Sequence, residues 1–437
     1  MSTALEVWLD CGLPGGKFHV GHLQHDRTTL RFTYTGEWLR HPQRFAIDPE
    51  LSLDKGDFFA PAGAPGSFGV FDDASPDRWG QTLMKRREAL EAKDQGRPPQ
   101  VLRVWDYLCG VQDATRLGAV RLRSAGTGAE TGVSRGTVRG TDGFDTFGTD
   151  GYIANDPLPA PPVASLRELE AVARALTDKR IDDLDALRRW LAVLVAPGAS
   201  LGGARPKANF TDVDRSLWIA KFPSREDDRN IGAWEYLLHT LAKKAQIDVP
   251  PARCLKFGKD FHTFCTRRFD RAAAHRRFYA SAMTLLRKRE SEGSSYIEIA
   301  EFIQRNGAAG FIAQDLAQLY RRVAFNVATG NRDDHLRNHG FLLTAAGWRL
   351  APAFDVNPNI DKAGHVLNLD ADDNTPSLAT VIKTAPWYGL SIDQGRGIVA
   401  QVLKVAQGWR RAAAKAGLSR ADIELSAIAF EHAGHII

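Results

Sequence analysis

The segment GNRDDHLRNHG, Gly330–Gly340, sets two carboxylates, two amides, two imidazoles and two guanidiniums directly after an apolar helical stretch. Asp333 and Asn338 are separated by four residues, and Asp355 follows seventeen positions after Asn338, in LAPAFDVNP. These residue types suit phosphoryl transfer. One carboxylate can orient an attacking hydroxyl and accept its proton, while an amide oxygen and a second carboxylate hold magnesium, which prefers hard oxygen ligands. Asp334 lies beside Asp333, so the residues alone leave the base open by one position.

Asp-x4-Asn with a later Asp is the spacing of the catalytic and metal-binding loops of protein kinases. Alone it is a weak signal, because Asp and Asn are common in turns. The four-residue spacing favours Asp333 as the base. Upstream, GASLGGARPKANF (Gly198–Phe210) is a glycine-rich stretch that leads into a strand. Small residues let backbone N–H groups approach phosphate oxygens, and Arg205 or Lys207 could add charge. The stretch matches neither the Walker pattern nor strict GxGxxG.

SLWIAKF (Ser216–Phe222) alternates like a half-buried strand and puts Lys221 on the face of Leu217 and Ile219. A lysine there is costly to desolvate unless paired, and nucleotide phosphates plus a helix carboxylate would be its partners. Glu235, on the helix that follows, is the candidate carboxylate. DVDR (Asp212–Arg215) reads as the turn between two strands. Loop, strand, turn, strand and helix is the order of a kinase small lobe. FCTRRFDR (Phe264–Arg271), which carries Arg267, Arg268 and Phe269, lies where a kinase hinge meets adenine.

The elements that must position these residues fall into three stretches. The first ~120 residues read as a small α+β module, with a strand at Thr29–Tyr34 and a helix in SPDRWGQTLMKRREALEA capped by Ser75 with Pro76 at its first position. Ser124–Gly151 is rich in Gly, Thr and Ser and reads as a linker or mobile loop. Ser165–Leu176 and Leu184–Val195 carry helical spacing, and Asn230 is placed to cap a helix through AWEYLLHTLAKKAQ. From Tyr279 onward the pattern is largely helical. The domain reading is 1–123 for the N-terminal subdomain, 124–160 for the linker, 161–268 for a small lobe and 269–437 for a large lobe.

The 437 residues exceed what one hydrophobic core usually supports, and 43% hydrophobic with 25% charged residues is the composition of an ordinary globular protein. The net charge of +5 is mildly basic, with no block of Lys and Arg resembling a nucleic-acid arm. The four cysteines lack CxxC or Cys/His ligand spacing and read as thiols in a reducing compartment. MSTALEVWLD carries acidic residues where a signal peptide needs basic ones, and no apolar run approaches the ~20 residues of a membrane span. The expected location is the cytoplasm, with no membrane partner.

At SLGGARPKA, WIAKFP, RRFDR, FNVATGNRDDHLRNHGFLL and LAPAFDV the sequence resembles the HipA family of bacterial toxin serine/threonine kinases. The resemblance extends through FDDASPDRWG and ATRLGAVRLR into the N-terminal module. It implies an α+β, two-lobed protein-kinase-like fold, with a β-rich small lobe, an all-helical large lobe and an additional N-terminal α+β subdomain. By motif match it implies Asp333 as the catalytic aspartate, Asn338 and Asp355 on Mg²⁺, and Lys221 on the ATP phosphates. Gly202, Gly203, Ala204, Arg205 and Lys207 would belong to the phosphate loop, and Arg267, Arg268 and Phe269 to the hinge. His335 would line the nucleotide pocket, and Ser200 matches the serine that family members autophosphorylate.

The family's partners are a helix-turn-helix antitoxin (HipB-like), DNA reached only through that antitoxin, and a protein substrate such as an aminoacyl-tRNA synthetase. A small-molecule phosphotransferase and an inactive kinase-like repressor partner are the alternatives. Three features depart from the family pattern: the long linker, Pro206 within the phosphate loop, and Asp334 as an extra carboxylate.

Overall fold

Alternation of apolar and polar residues in the first 34 positions builds a sheet. In the computed structural model, which describes residues 3–12, 16–26, 29–61, 66–125, 151–153, 160–177, 205–259, 261–272 and 275–434, the strands β1 (Thr3–Leu9), β2 (Phe18–Asp26) and β3 (Thr29–Tyr34) follow each other antiparallel. With β4 (Asp57–Phe59) and β5 (Val120–Ser124) they form a five-stranded sheet ordered β4-β3-β2-β1-β5. Leu5, Val7, Leu9, Leu23, Phe32 and Leu122 are fully buried on its inner face. Each such side chain contributes about 1.5–3 kcal/mol by leaving water.

Two compact units divide the chain. The first is Met1–Ala220 with Asp270–Ala280, and the second is Lys221–Phe269 with Ser281–Ile437. Helices α1 (Gly36–Arg40), α2 (Gly69–Asp73), α3 (Arg78–Asp94), α4 (Val104–Cys109) and α5 (Leu166–Leu176) belong to the first unit. So do neighbouring strands β6 (Lys207–Thr211) and β7 (Leu217–Lys221), except for Lys221 itself, and the pair β10 (Arg271–Ala272) and β11 (His275–Arg276). The DVDR turn closes through Arg215 N–H donating to Asp212 O at 2.9 Å.

The start of α3 differs from the sequence expectation. Its N-cap is Asp77, whose Oδ1 accepts from Gly80 N–H at 2.9 Å, while Ser75 Oγ donates to Phe71 O at the end of α2. A carboxylate two residues further on satisfies the helix N–H groups that Ser75 was expected to cap, and its charge also suits the positive end of the helix dipole. Ser124–Gly151, apart from its ends, and Leu184–Val195 lie outside the described residues.

The second unit opens with α6 (Ile231–Lys244), capped by Asn230, whose side chain accepts from Ala233 N–H. Strands β8 (Ala252–Leu255) and β9 (Thr263–Arg267) pair antiparallel. After β12 (Tyr279–Ser281), which straddles the boundary, come α7 (Ala282–Leu285), α8 (Tyr296–Asn306) and α9 (Ile312–Thr329). A capping box between Ser295 and Glu298 starts α8. Helix α9 runs through the core: Leu319, Tyr320, Val323, Ala324 and Val327 are fully buried. Against it pack α10 (Leu378–Lys383) and α11 (Ile392–Ala406), while α12 (Trp409–Lys415) packs on α6 and on α13 (Arg420–Ser426).

The helical stretch is broken by the hairpin β13 (Gly340–Thr344) and β14 (Gly347–Leu350), whose register pairs Phe341 with Leu350. Among the described residues no helix is long and apolar enough to cross a membrane.

Candidate active site

Helix α9 stops at Gly330 because the next turn is left-handed: Gly330 has φ +63°, and a Cβ there would sit 2.3 Å from Ala429 O. The chain then reverses into the polar segment. Asn331 N–H donates to Asn326 O at 2.9 Å, and Arg332 spans the loop by donating to Lys362 O at 2.7 Å and Glu431 Oε1 at 3.0 Å. Asp333 faces solvent with its side chain 58% exposed, and Lys362 Nζ donates to its Oδ1.

Asp334 points the other way, into the core. Asn338 sits in a short 3₁₀ turn, Leu336–Asn338, with its own N–H on His335 O. Its side-chain Oδ1 is buried without a protein hydrogen-bond partner. His335 is half-buried, and its Nδ1 likewise has no protein partner.

Within the same unit Lys221 is 5% exposed, and its ammonium donates to Glu235 Oε1 at 2.6 Å and Asp355 Oδ1 at 2.5 Å. Burial pushes the lysine pKa down, but the Asp355 and Glu235 carboxylates outweigh it and hold the group above its ordinary value. Asp355 adopts φ +57°, a left-handed conformation that costs a non-glycine residue on the order of 1–3 kcal/mol and turns its carboxylate toward Lys221. Asn357 donates weakly to Asp355 Oδ1 at 3.4 Å, and its own Oδ1 is buried with no protein partner. Phe269 is buried and packs against Phe354, ring centroids 5.4 Å apart, directly beside Asp355. Arg268 is buried and Arg267 exposed.

The structure thus brings together Lys221, Glu235 and Asp355. It puts Asp333 and Asn338 on one loop with opposite exposure. Lys207 belongs to the first unit, buried at 1% and ion-paired to Asp77, while its backbone O accepts from Trp79 Nε1 at 3.2 Å. Arg205 lies at the start of the same segment. Ser200, Gly202, Gly203 and Ala204 lie outside the described residues.

Sequence reasoning assigned no role to Asp77, Asn357 or Lys362. Asp77 stood within the quoted FDDASPDRWG, but its partner is 130 residues away. Asn357 could have been noticed as an amide two positions after Asp355.

The donor set fits a hard divalent cation. An unpartnered buried amide oxygen on Asn338 and the Asp355 carboxylate are both oxygen ligands. Among the described residues no group of three or more His, Cys, Asp or Glu is placed to hold a metal.

The HipA N-terminal domain model matches residues 7–102, and the HipA-like C-terminal domain model matches residues 199–409. The chain belongs to the HipA family. HipA of Shewanella oneidensis MR-1, solved in a complex with HipB and its operator DNA, is similar in fold. Its TM-score is 0.64 at 16% identity, over 98% of this chain and 95% of that one. A proinflammatory kinase of Helicobacter pylori, CtkA, aligns over 52% of this chain and 94% of its own, at 12% identity and a TM-score of 0.37. No curated protein matches. The α+β, HipA-like architecture anticipated from sequence is the one found.

Proposed function

We propose that this HipA-family chain is an ATP- and Mg²⁺-dependent protein serine/threonine kinase and the toxin of a bacterial toxin–antitoxin pair. The observation that carries the reading is buried Lys221 held between Glu235 and Asp355, with Asn357, whose side-chain oxygen has no protein partner, against Asp355. In this reading Lys221, fixed by Glu235, holds the nucleotide phosphates. Asp355 and Asn338 hold the metal, which neutralises phosphate charge when bound. Asp333, exposed on its loop, orients the acceptor hydroxyl. The hydroxyl oxygen bonds to the γ-phosphorus as the bond to the β-phosphate oxygen breaks, ADP leaves, and the hydroxyl proton passes to Asp333. Lys362 must give up Asp333 for this to happen.

Arg205 and the glycines before it would cradle phosphate, joined by Lys207 only if its ammonium gives up Asp77, and Arg267, Arg268, Phe269 and His335 would border the base. Ser200 would be the self-modified residue, and its phosphorylation would silence the enzyme. Residues 1–123, 161–268 and 269–437 would act as N-terminal subdomain, small lobe and large lobe. The Shewanella complex supports a helix-turn-helix antitoxin of the HipB kind as partner, with operator DNA reached through it. An aminoacyl-tRNA synthetase is the proposed target class, and the cytoplasm the proposed location.

Incubation with radiolabelled ATP and Mg²⁺ tests the reading. Self-labelling at Ser200, absent from Ser200→Ala, is the expected result. Asp333→Ala should abolish transfer while ATP still binds. Label on a small acceptor alone would favour a small-molecule phosphotransferase, and no transfer to the chain, a synthetase or lysate protein would overturn the enzyme.

A further inference from the structure

Asp334 is the carboxylate that the proposed chemistry leaves without a task, and it is 4% exposed. Its Oδ2 accepts three hydrogen bonds, from Tyr296 Oη on α8 at 2.8 Å, Asn326 Nδ2 on α9 at 2.7 Å, and His339 Nε2 at 2.8 Å. The chain of contacts continues. Asn326 Oδ1 accepts from Asn331 Nδ2 at 3.0 Å, and Asn331 Oδ1 accepts from Asn357 N–H at 3.4 Å, two residues past Asp355. One buried network therefore joins helices α8 and α9 to both loops that carry the proposed base and metal-holding residues. A buried carboxylate is expensive to desolvate, and an apolar side chain would pack the junction of two helices at lower cost. What a charged acceptor adds is direction: three donors on three segments fix where the backbone of residue 334 lies, and with it residues 333 and 338.

We propose that Asp334 is a positioning residue that holds the Asp333–Asn338 loop and the Asp355 loop in mutual register for phosphoryl transfer. The proposal rests on the kinase reading above. Asp334 reaches neither substrate nor metal and acts through Asp333, Asn338 and Asp355. Its loss therefore lowers turnover more than nucleotide affinity, because misplacing reacting groups by about an ångström costs on the order of a hundredfold in rate.

The experiment compares wild type, Asp334→Asn and Tyr296→Phe. It measures transfer to Ser200, Mg-ATP binding, thermal unfolding, and amide hydrogen exchange over residues 331–339 and 355–359. Asp334→Asn is expected to lose about a hundredfold in the single-turnover rate constant for transfer, with ATP affinity within roughly threefold of wild type. Tyr296→Phe, which removes one donor without changing shape, is expected to lose about tenfold and carries the test if the asparagine variant does not fold. Both loop segments should exchange faster in the variants. Transfer within about twofold of wild type in the folded variants, or a loss matched by an equal loss of ATP binding, overturns the positioning role. If wild type transfers no phosphate, the kinase reading fails by itself. The exchange data then decide the network, with faster exchange in both loops supporting it and unchanged exchange overturning it.

Discussion

Lys221 shows what a buried cation demands of its neighbours. Its ammonium has two carboxylates within 2.6 Å, and Glu235 is itself 2% exposed. Lys221→Met fills the same space but takes the lysine's charge away from buried Glu235. Removing one partner of such a pair costs about 3–5 kcal/mol. Changing Glu235→Gln in the same chain should return a large part of that loss, because the buried carboxylate that faced the lysine becomes a neutral amide. Urea unfolding of the two single variants and the double variant measures the coupling, and additive losses would show that the pair is not energetically linked. The linkage sign agrees. A lysine held above its ordinary pKa contributes its full stabilisation below the ordinary value and loses it only as pH rises through the folded one, so the lysine stays charged through neutral and mildly alkaline pH. At this scale the sequence was informative where chemistry is local. Asp-x4-Asn and an inward-facing lysine are visible in one line of text, whereas the outward and inward directions of Asp333 and Asp334 are set by Tyr296, Asn326 and His339, which no spacing rule connects to them.

Among the elements, α3 and β6 depend on each other through Asp77. One carboxylate oxygen caps the helix at Gly80 and the other pairs with Lys207. Asp77→Asn keeps an acceptor for the cap but removes the charge opposite a lysine that is 1% exposed, while Asp77→Ala removes both. The cap is worth about 1 kcal/mol, and removing one partner of a buried ion pair costs about 3–5 kcal/mol. Asn is therefore expected to recover only the smaller part. Chemical denaturation distinguishes the two, and equal stability of the asparagine variant and wild type would mean that the ion pair contributes nothing. The loop after α9 depends on a backbone shape instead. Gly330→Ala must tolerate φ +63° and a Cβ 2.3 Å from Ala429 O, so a loss well above the ~1 kcal/mol of a strained left-handed alanine is expected. A thermal midpoint equal to wild type would show that the segment around Ala429 yields freely. Helix caps and strands were legible because they are written within a few residues: Asn230 caps α6 as its position suggests, and Thr29–Tyr34 is the strand its alternation describes. The shift of the α3 cap from Ser75 to Asp77 was not, because both residues are good caps and the tertiary demand for a carboxylate opposite Lys207 decides between them.

Over the whole molecule, the succession of an α+β module, a mixed segment and a helical segment follows from periodicity. The pairing of a sheet strand with one a hundred residues later does not. β1 lies against both β2 and β5, and nothing near Val120–Ser124 announces that partner. Long-range burial also sets the charge balance with pH. Two buried carboxylates lie below their usual pKa: for Asp334, burial pushes the value up and His339 with its other donors outweighs it. For Asp113, burial is likewise overcome by Arg276 and Arg121. Such groups stabilise the fold at neutral pH and withdraw that contribution as pH falls through their depressed values.

Asp48 runs the opposite way. Burial pushes it up to about 6, against the pull of the N–H groups of Glu50 and Val70. The folded chain therefore binds this proton more tightly than the unfolded chain, and stability from this group rises as pH falls from about 6 toward 3.8. Keeping Asp48 ionised in the fold at neutral pH therefore costs about 3 kcal/mol. Asp48→Asn carries no proton to exchange and keeps an amide oxygen for Val70 N–H. The stability of the variant relative to wild type should improve by up to about 3 kcal/mol between pH 4 and pH 7, with the change concentrated between pH 4 and 6. Urea titrations of both proteins at unit steps of pH measure the difference. A difference that stays constant with pH would show that Asp48 is ionised in the fold at no unusual cost and that the two backbone donors fully offset its burial.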